Sequence, residues 1–151
     1  MVKLPRSIPV SIEIDKLTNS IEQAATGAAF DTSVSVVSLA DLKTIIKANG
    51  WLFNWRSEIK HPTRQVFKLT IINEPGQIQG LISMEIKADH VFMHLIESAP
   101  FNLGKGKTYV GVPGNLVAYA CRLSFEHGHD GYLSFVSKTK LFDHYATTPL
   151  R

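Results

Sequence analysis

Alternation of apolar and polar residues is the first pattern along the chain. In residues 8–14 every second position is Ile or Val, and the residues between them are polar or Pro. Such alternation is typical of a half-buried strand. Residues 33–38 alternate again, around Val34 and Val36. Between these two segments, residues 17–29 carry a weak helical pattern that Gly27 would end. The N-terminal region is therefore predicted to hold a strand, a helix and a second strand.

Helical spacing is clearer in residues 39–50, where Ser38 supplies a cap and Gly50 a stop. The apolar positions of this predicted helix are Leu39, Leu42, Ile45 and Ile46. Trp51, Phe53 and Trp55 come next. Two interpretations stay open for this aromatic group: cover for the core, or, for part of it, the wall of a substrate pocket.

Three strands in close order are predicted in the middle of the chain. Residues 65–72, 78–86 and 90–96 are rich in apolar and β-branched side chains. Residues 74–76 and 87–89 separate them and have the composition of turns. Because short connections join antiparallel strands, the pattern predicts an antiparallel meander.

The best-delimited element is a predicted helix at residues 115–127. Pro113 lies near its first position and Gly128 just past its end, which matches the usual chemistry of helix starts and stops. Its predicted solvated positions are Asn115, Arg122 and Glu126. A strand-like run at residues 132–136 follows. Because a strand, a helix and a strand in succession form a crossover, residues 90–96 and 132–136 are expected to pair in parallel.

Composition indicates one domain that spans residues 1–151. With 44% hydrophobic and 19% charged residues, the chain can bury about 70% of its unfolded surface. No apolar run approaches the ~20 residues that cross a bilayer, and prolines interrupt residues 1–10, where a signal peptide would be apolar. We expect a cytoplasmic protein with no membrane partner. The single cysteine, Cys121, falls in the apolar pattern of the late helix and is expected in the core.

The net charge of +3 is modest and spread along the chain. Nucleic-acid binders concentrate Lys and Arg in a stripe, so no nucleic-acid partner is expected. The only basic cluster is Lys105-Gly106-Lys107. It has two open interpretations: a solvated loop, or cations beside a phosphorylated ligand.

Three motif classes are set aside. Gly106-Lys107-Thr108 has the end of a phosphate-binding P-loop, but Phe101 stands where that motif needs a small residue. The six histidines are scattered over elements that do not converge, so no metal is expected. The Gly-x-Ser-x-Gly elbow of a serine hydrolase is absent from the sequence.

A glycine-bearing stretch, Gly111-Val112-Pro113-Gly114, stands between the third meander strand and the late helix. Such a turn can present backbone N–H groups to an anion at a helix start. Together with the order of strand, turn, helix, strand and Tyr145-bearing segment, it resembles the GNAT superfamily of N-acetyltransferases. The resemblance covers residues 33–145 in element order and is most specific over residues 110–145. It implies an α/β fold of the α+β type, with a mixed, mainly antiparallel sheet flanked by helices.

The resemblance also implies residues that bind acetyl-CoA. In the family, the turn before the helix holds the pyrophosphate with backbone amides, and the preceding strand lines the pantetheine arm. The corresponding pyrophosphate positions are Val110, Gly111, Val112, Gly114, Asn115 and Leu116. The pantetheine positions are Leu95, Ile96 and Glu97. Lys138 is assigned to the cofactor because it stands where the family commonly has an asparagine, seven residues before the tyrosine.

Acetylation of an amine needs a base and an acid. A tyrosine on the last helix of the family often protonates the departing thiolate of CoA, and Tyr145 has that place; packing is its other interpretation. Glu97, Glu85 and His94 are candidate bases. Glu97 ranks first because it ends the strand beside the proposed cofactor, although an ordinary surface glutamate is the alternative.

The chain departs from the family in its turn and at its end. Thr108 takes the place of a basic residue, and Pro113 that of the second small residue. The two strands that normally follow the last helix are absent from the sequence, which would expose an edge at residues 132–136. A partner copy in a homodimer, a strand at residues 8–14 or a missing C-terminal segment would cover that edge.

The expected function is transfer of an acetyl group from acetyl-CoA to an amine of unknown identity, by direct attack in a ternary complex. The first alternative is a catalytically silent acyl-CoA-binding or protein-interaction module on the same fold, which the altered turn favours. The second is a structural protein without a CoA site.

Overall fold

The computed structural model describes residues 20–128 in full and the backbone of residues 2–3 and 132–135. Its elements in chain order are β1 (Val2–Lys3), β2 (Ser20–Gln23), β3 (Ala29–Val36), 3-10 helices at Ala40–Thr44 and Lys47–Asn49, α1 (Trp55–Lys60), β4 (Gln65–Ile71), β5 (Glu74–Ile86), β6 (Val91–Ser98), a 3-10 helix at Pro100–Asn102, β7 (Tyr109–Val110), α2 (Val112–Glu126) and β8 (Tyr132–Phe135). The predicted strand at residues 8–14, together with Lys138 and Tyr145, lies outside the described residues.

The described strands form one mixed sheet in the order β1-β8-β6-β5-β4-β3-β2-β7. All neighbouring pairs are antiparallel except β6 with β8. The predicted meander is confirmed as β4, β5 and β6, and the predicted parallel pair as β6 with β8. Because helices cover both faces of this sheet, the predicted fold class is confirmed.

Apolar side chains pack in two layers, one on each face of the sheet. The face toward α2, here called the α2 face, carries a core that includes Leu69, Ile82, Met84, Met93, Ile96, Leu116, Ala120 and Cys121. The opposite face, here called the α1 face, carries a second core of Leu42, Ile45, Trp51, Trp55, Val66, Leu81 and Leu95, among others. The prediction that Trp51 and Trp55 cover the core is therefore confirmed.

The predicted helix at residues 39–50 is wrong, because two 3-10 helices occupy this segment. Of its apolar positions, Leu42 and Ile45 are buried, whereas Leu39 and Ile46 are exposed. A spacing of three residues matches one turn of a 3-10 helix, so the two buried side chains can share a face without an α-helix. Ser38 does cap the segment, since its Oγ accepts from the N–H of Asp41 at 3.3 Å.

The predicted helix at residues 17–29 is also wrong in its described part. Residues 20–23 form β2, which returns through a turn at Gly27 (φ 74°) to pair antiparallel with β3. Ile21 is buried in the α2-face core, and this tertiary burial outweighs a weak helical preference. The strand predicted at residues 33–38 is present as the second half of β3.

Two smaller differences concern a turn and an edge. The turn predicted at residues 74–76 lies earlier, since β5 already begins at Glu74 and the ladder with β4 shifts register there. The exposed edge expected at the strand after α2 is covered by β1, because Val2 and Lys3 pair antiparallel with Leu133 and Tyr132.

Gly80 offers a test of how closely α2 lies on the sheet. A Cβ at this position would come within 2.6 Å of Val112 Cγ1 and 3.1 Å of the backbone oxygen of Glu97. We expect Gly80→Ala to destabilise the protein by roughly 1–3 kcal/mol, measured by urea unfolding, because overpacking must shift backbone. Gly76→Ala on the same strand is the control, since nothing lies within 4 Å of its added Cβ. Equal stability of the two variants would contradict this packing.

Candidate functional site

β6 is the strand at which the sheet changes direction. Its neighbour β5 is antiparallel, whereas its neighbour β8 is parallel, because the chain crosses the sheet through α2. The parallel ladder joins residues 91–93 to residues 133–135, and β6 itself continues to Ser98. Ligand crevices in α/β sheets form at the carboxyl ends of strands where connections diverge. The C-terminal half of β6 is therefore the candidate site.

A β-bulge decides which side chains β6 presents on each face. The pairs on either side of it are Ser83 with Leu95 and Met84 with Met93, which leaves His94 as the extra residue. Met93 and Ile96 both pack on the α2 face, and Leu95 packs on the α1 face. Strict alternation would place Leu95 with Met93. The bulge therefore directs Leu95 and Glu97 toward α1.

Glu97 is 5% exposed, and its carboxylate accepts three hydrogen bonds. The donors are the N–H of Leu52 at 2.6 Å, the N–H of Phe53 at 3.3 Å and Trp55 Nε1 at 2.8 Å. A carboxylate has about four acceptor positions, so these donors occupy most of its capacity. Glu97 thus holds residues 51–55, here called the aromatic segment, against β6.

His94 and Glu85 form a second polar group on the α1 face. His94 Nε2 lies 3.0 Å from Glu85 Oε1, and Lys87 Nζ lies 2.9 Å from Glu85 Oε2. Hydrogen bonds from Lys87 and His94 lower the pKa of Glu85 to about 2. The imidazole also stacks at a tilt on Phe92, with 4.5 Å between ring centroids. The group is therefore ordered and carries a carboxylate at neutral pH.

A partly buried ion pair adjoins this group. Arg64 Nη1 lies 3.0 and 2.8 Å from the two carboxylate oxygens of Glu58, and Ser83 Oγ donates to Glu58 Oε1 at 2.7 Å. These bonds tie α1 to β5 and compensate the burial of the Glu58 charge.

The turn into α2 starts at Gly111, whose φ of 99° is a conformation that L side chains rarely adopt. Of the sequence-predicted pyrophosphate positions, Val110 and Gly111 are half-buried. The other four, Val112, Gly114, Asn115 and Leu116, are buried. An anion would therefore reach this turn from the side of Val110 and Gly111.

Asn115 is 4% exposed, so its predicted solvated position is wrong. Its Nδ2 donates to the backbone oxygens of Ser20 at 2.7 Å and Gly111 at 2.8 Å, and its Oδ1 accepts from Thr32 Oγ1 at 3.4 Å. Its backbone N–H donates to the oxygen of Gly111 at 3.0 Å. Asn115 therefore joins the start of α2 to β2 and β3, and its N–H groups bond to protein oxygens.

The segment between β6 and α2 is fastened by Asn102. Its Nδ2 donates to Gln79 Oε1 at 2.9 Å, and its Oδ1 accepts from the N–H of Tyr109 at 3.0 Å. Lys105 is exposed and Lys107 half-buried on the loop held in this way. Gln79 Nε2 is buried and has no hydrogen-bond partner among the described residues. Sequence analysis missed both Asn102 and Gln79, because no periodicity marks a buried amide.

The predicted site residues thus fall into groups. Leu95, Ile96 and Glu97 lie together at the end of β6 and are all buried, so a ligand there would meet backbone rather than the two apolar side chains. Tyr145 and Lys138 lie outside the described residues, and their roles stay predictions. Burial raises the pKa of Cys121 to about 12, which agrees with its predicted place in the core.

Other features lie apart from β6. A groove of about 560 Å³ between β3 and α2 is lined by residues such as Asp31, Tyr119 and Arg122, and none of the predicted site residues lines it. No group of three or more His, Cys, Asp or Glu in the described part of the chain is placed to hold a metal ion. Among the described residues, no helix has both the length and the apolar character needed to span a membrane.

Comparison with known proteins finds similar chains among solved structures. No family model matches the chain, and no curated protein matches it. Among solved structures, it is similar to the crystal structure of the ribosomal-protein-S18-alanine N-acetyltransferase from Escherichia coli. The two share 15% sequence identity with a TM-score of 0.45, over 77% of this chain and 75% of that chain. Because an overlap of this size is partial, function has to be inferred from the residues of this chain.

Replacing the Glu97 carboxylate tests its hold on the aromatic segment. We expect Glu97→Gln to lower the free energy of unfolding by roughly 2–3 kcal/mol, because one amide cannot accept from all the donors that now bond the carboxylate. Urea unfolding followed by Trp fluorescence measures this change. The exposed Glu74→Gln is the control and should change stability by less than about 0.5 kcal/mol. A Glu97→Gln variant as stable as this control would show that these hydrogen bonds do not hold the aromatic segment in place.

Proposed function

We propose that the protein transfers an acetyl group from acetyl-CoA to an amine. The observation that carries the proposal is the direction change at β6, where a parallel pair opens beside an otherwise antiparallel sheet. An extended ligand arm with amide groups can add to such a strand end as a further strand would. Candidate proton-transfer groups, Glu97 and the pair of His94 with Glu85, lie on the same strand or its neighbour.

The residues around the end of β6 fit acetyl-CoA in a specific arrangement. The backbone of Leu95, Ile96 and Glu97 would meet the pantetheine arm. The half-buried Val110 and Gly111 would meet the pyrophosphate, with Lys105 and Lys107 on the loop before them as cations. The Nε2 of Gln79, which has no hydrogen-bond partner among the described residues, supports a polar ligand near this end, because buried amides are normally hydrogen-bonded. Lys138 stays a predicted contact of the cofactor.

The bound thioester would supply an activated acetyl carbon. The protein must then keep the amine neutral, hold it against that carbon and deliver a proton to the departing sulfur. Tyr145 is the proposed acid, since a phenol with a pKa near 10 can protonate a thiolate. Glu97 is the base that the sequence favours.

A second candidate function is a catalytically silent acyl-CoA-binding or interaction module on this fold. Two observations favour it. The carboxylate of Glu97 is already engaged by Leu52, Phe53 and Trp55, and Asn115 at the start of α2 bonds to protein rather than facing an open crevice.

Titration with acetyl-CoA is expected to raise the melting temperature. Ligand at about 100 times its Kd stabilises a protein by ~2.7 kcal/mol, which thermal-shift measurements detect easily. The double variant Lys105→Ala/Lys107→Ala should bind more weakly, and more so at low salt, because screening hides charge. Lys60→Ala, an exposed lysine on α1, is the control and should bind as the original chain does. An unchanged melting temperature at millimolar acetyl-CoA would contradict both the acetyl-transfer function and the acyl-CoA-binding module.

Turnover separates the enzyme from the silent module. We expect thiol release from acetyl-CoA in the presence of a panel of amines, and Tyr145→Phe should keep acetyl-CoA binding while losing about 100-fold or more in rate. A thiol-reactive dye can follow the reaction, because Cys121 is the only cysteine of the chain and is buried. Tight binding without release for any amine would favour the silent module.

A further inference from the structure

We propose that His94, held by Glu85, is the base that takes the proton of the amine, and that Glu97 positions the aromatic segment instead. The inference rests on the proposed transfer and assigns its proton-transfer step. His94 is the bulged residue of β6 and follows directly on Met93, the last residue of β6 in the described parallel ladder. Bulges commonly re-aim a side chain beside a functional site.

The hydrogen bonds of His94 leave one ring nitrogen for a substrate. Nε2 lies 3.0 Å from Glu85 Oε1, so a proton on Nε2 gives the tautomer that this carboxylate favours. Nδ1 is then the basic nitrogen, and no residue in the described part of the chain hydrogen-bonds to it. The side chain is 17% exposed, which keeps it accessible while Phe92 stacks on one face of the ring.

Burial, more than the surrounding charges, favours the neutral imidazole of His94. Burial is the largest influence and lowers the pKa of His94, the bond to Glu85 raises it in part, and the charge of Arg64 lowers it again. Glu58 also faces the ring and raises the pKa, but Arg64 pairs with it, as Lys87 does with Glu85. The resulting pKa lies below the ordinary value, so the neutral form that accepts a proton predominates.

The competing carboxylates are less suited to the role. Glu97 accepts from three protein donors, which leaves little capacity for a substrate proton. Glu85, with a pKa of about 2, is a weak base at neutral pH and serves to orient His94.

Acetyl transfer conserves bonds and protons at the amine, the acetyl carbon and the sulfur. The amine nitrogen forms a bond to the acetyl carbon, and the bond from that carbon to sulfur breaks. The proton lost by the nitrogen moves to Nδ1 of His94, and the sulfur leaves as a thiolate that takes a proton from the acid, for which Tyr145 is the proposed residue. The products are an N-acetyl amide and free CoA.

The test combines kinetics with a readout that needs no turnover. His94→Gln should lower kcat/KM by about 100-fold or more and remove the part of the acid-side fall in rate that follows protonation of His94, leaving the part that follows protonation of the amine. His90→Gln, which removes a neighbouring imidazole bonded to Asp89, is the matched control and should keep both rate and pH profile. Ring-nitrogen NMR of the unaltered chain should show His94 protonated on Nε2 and titrating below about 6.5.

The outcomes distinguish this inference from the transfer itself. Turnover by His94→Gln at the rate and with the pH profile of His90→Gln would overturn the role of His94 and leave the transfer standing. An Nδ1–H tautomer would do the same, because Nδ1 could then not accept the proton of the amine. An unaltered chain that binds acetyl-CoA without acetylating any amine would overturn the transfer, and the role of His94 with it.

Discussion

The bulge in β6 decides which of its side chains reach each face of the sheet, and the cores on both faces depend on it. One extra residue, His94, shifts the strand by half a pleat, so Ile96 meets α2 while Leu95 and Glu97 meet the aromatic segment before α1. Without that shift, an apolar side chain would face the polar donors of Leu52 and Phe53, and a carboxylate would face the apolar core under α2. The bulge therefore allows one strand to complete two cores and to place His94 beside Glu85 on the α1 face.

Two buried amide side chains join the elements around the start of α2. Asn115 bonds β2, β3 and the first turn of α2, and Asn102 fastens the loop that leads there. A glycine at Gly111 permits the sharp entry into the helix. The segment with the strongest resemblance to a cofactor turn thus also joins α2 to β2 and β3, and a ligand bound there would be coupled to the stability of the fold.

Much of the fold could be predicted from the sequence, because strands buried on both faces leave long apolar and β-branched runs that turn residues interrupt. The meander follows from these runs and the crossover from the order of strand, helix and strand, while α2 follows from Pro113 and Gly128 at its ends. The errors have physical causes: Leu42 and Ile45 suit a 3-10 turn as well as an α-helix, and Ile21 is recruited into a distant core. For the site, the sequence pointed to β6, but a bulge and the bonding partners of Glu97 and Asn115 depend on tertiary contacts that no local pattern encodes.

The anchoring of β2 by late residues has a consequence for synthesis. Asn115 lies 95 positions after Ser20 and 83 after Thr32, and β7, the outer partner of β2, comes just before α2. As the chain leaves the ribosome, the outer edge of β2 therefore stays open until β7 has emerged, and its anchor Asn115 follows directly after β7. Such an edge is prone to pair with other chains. The speed of translation through residues 20–115 thus sets how long the nascent protein is exposed to aggregation, and chaperones that shield strand edges would matter most in that interval.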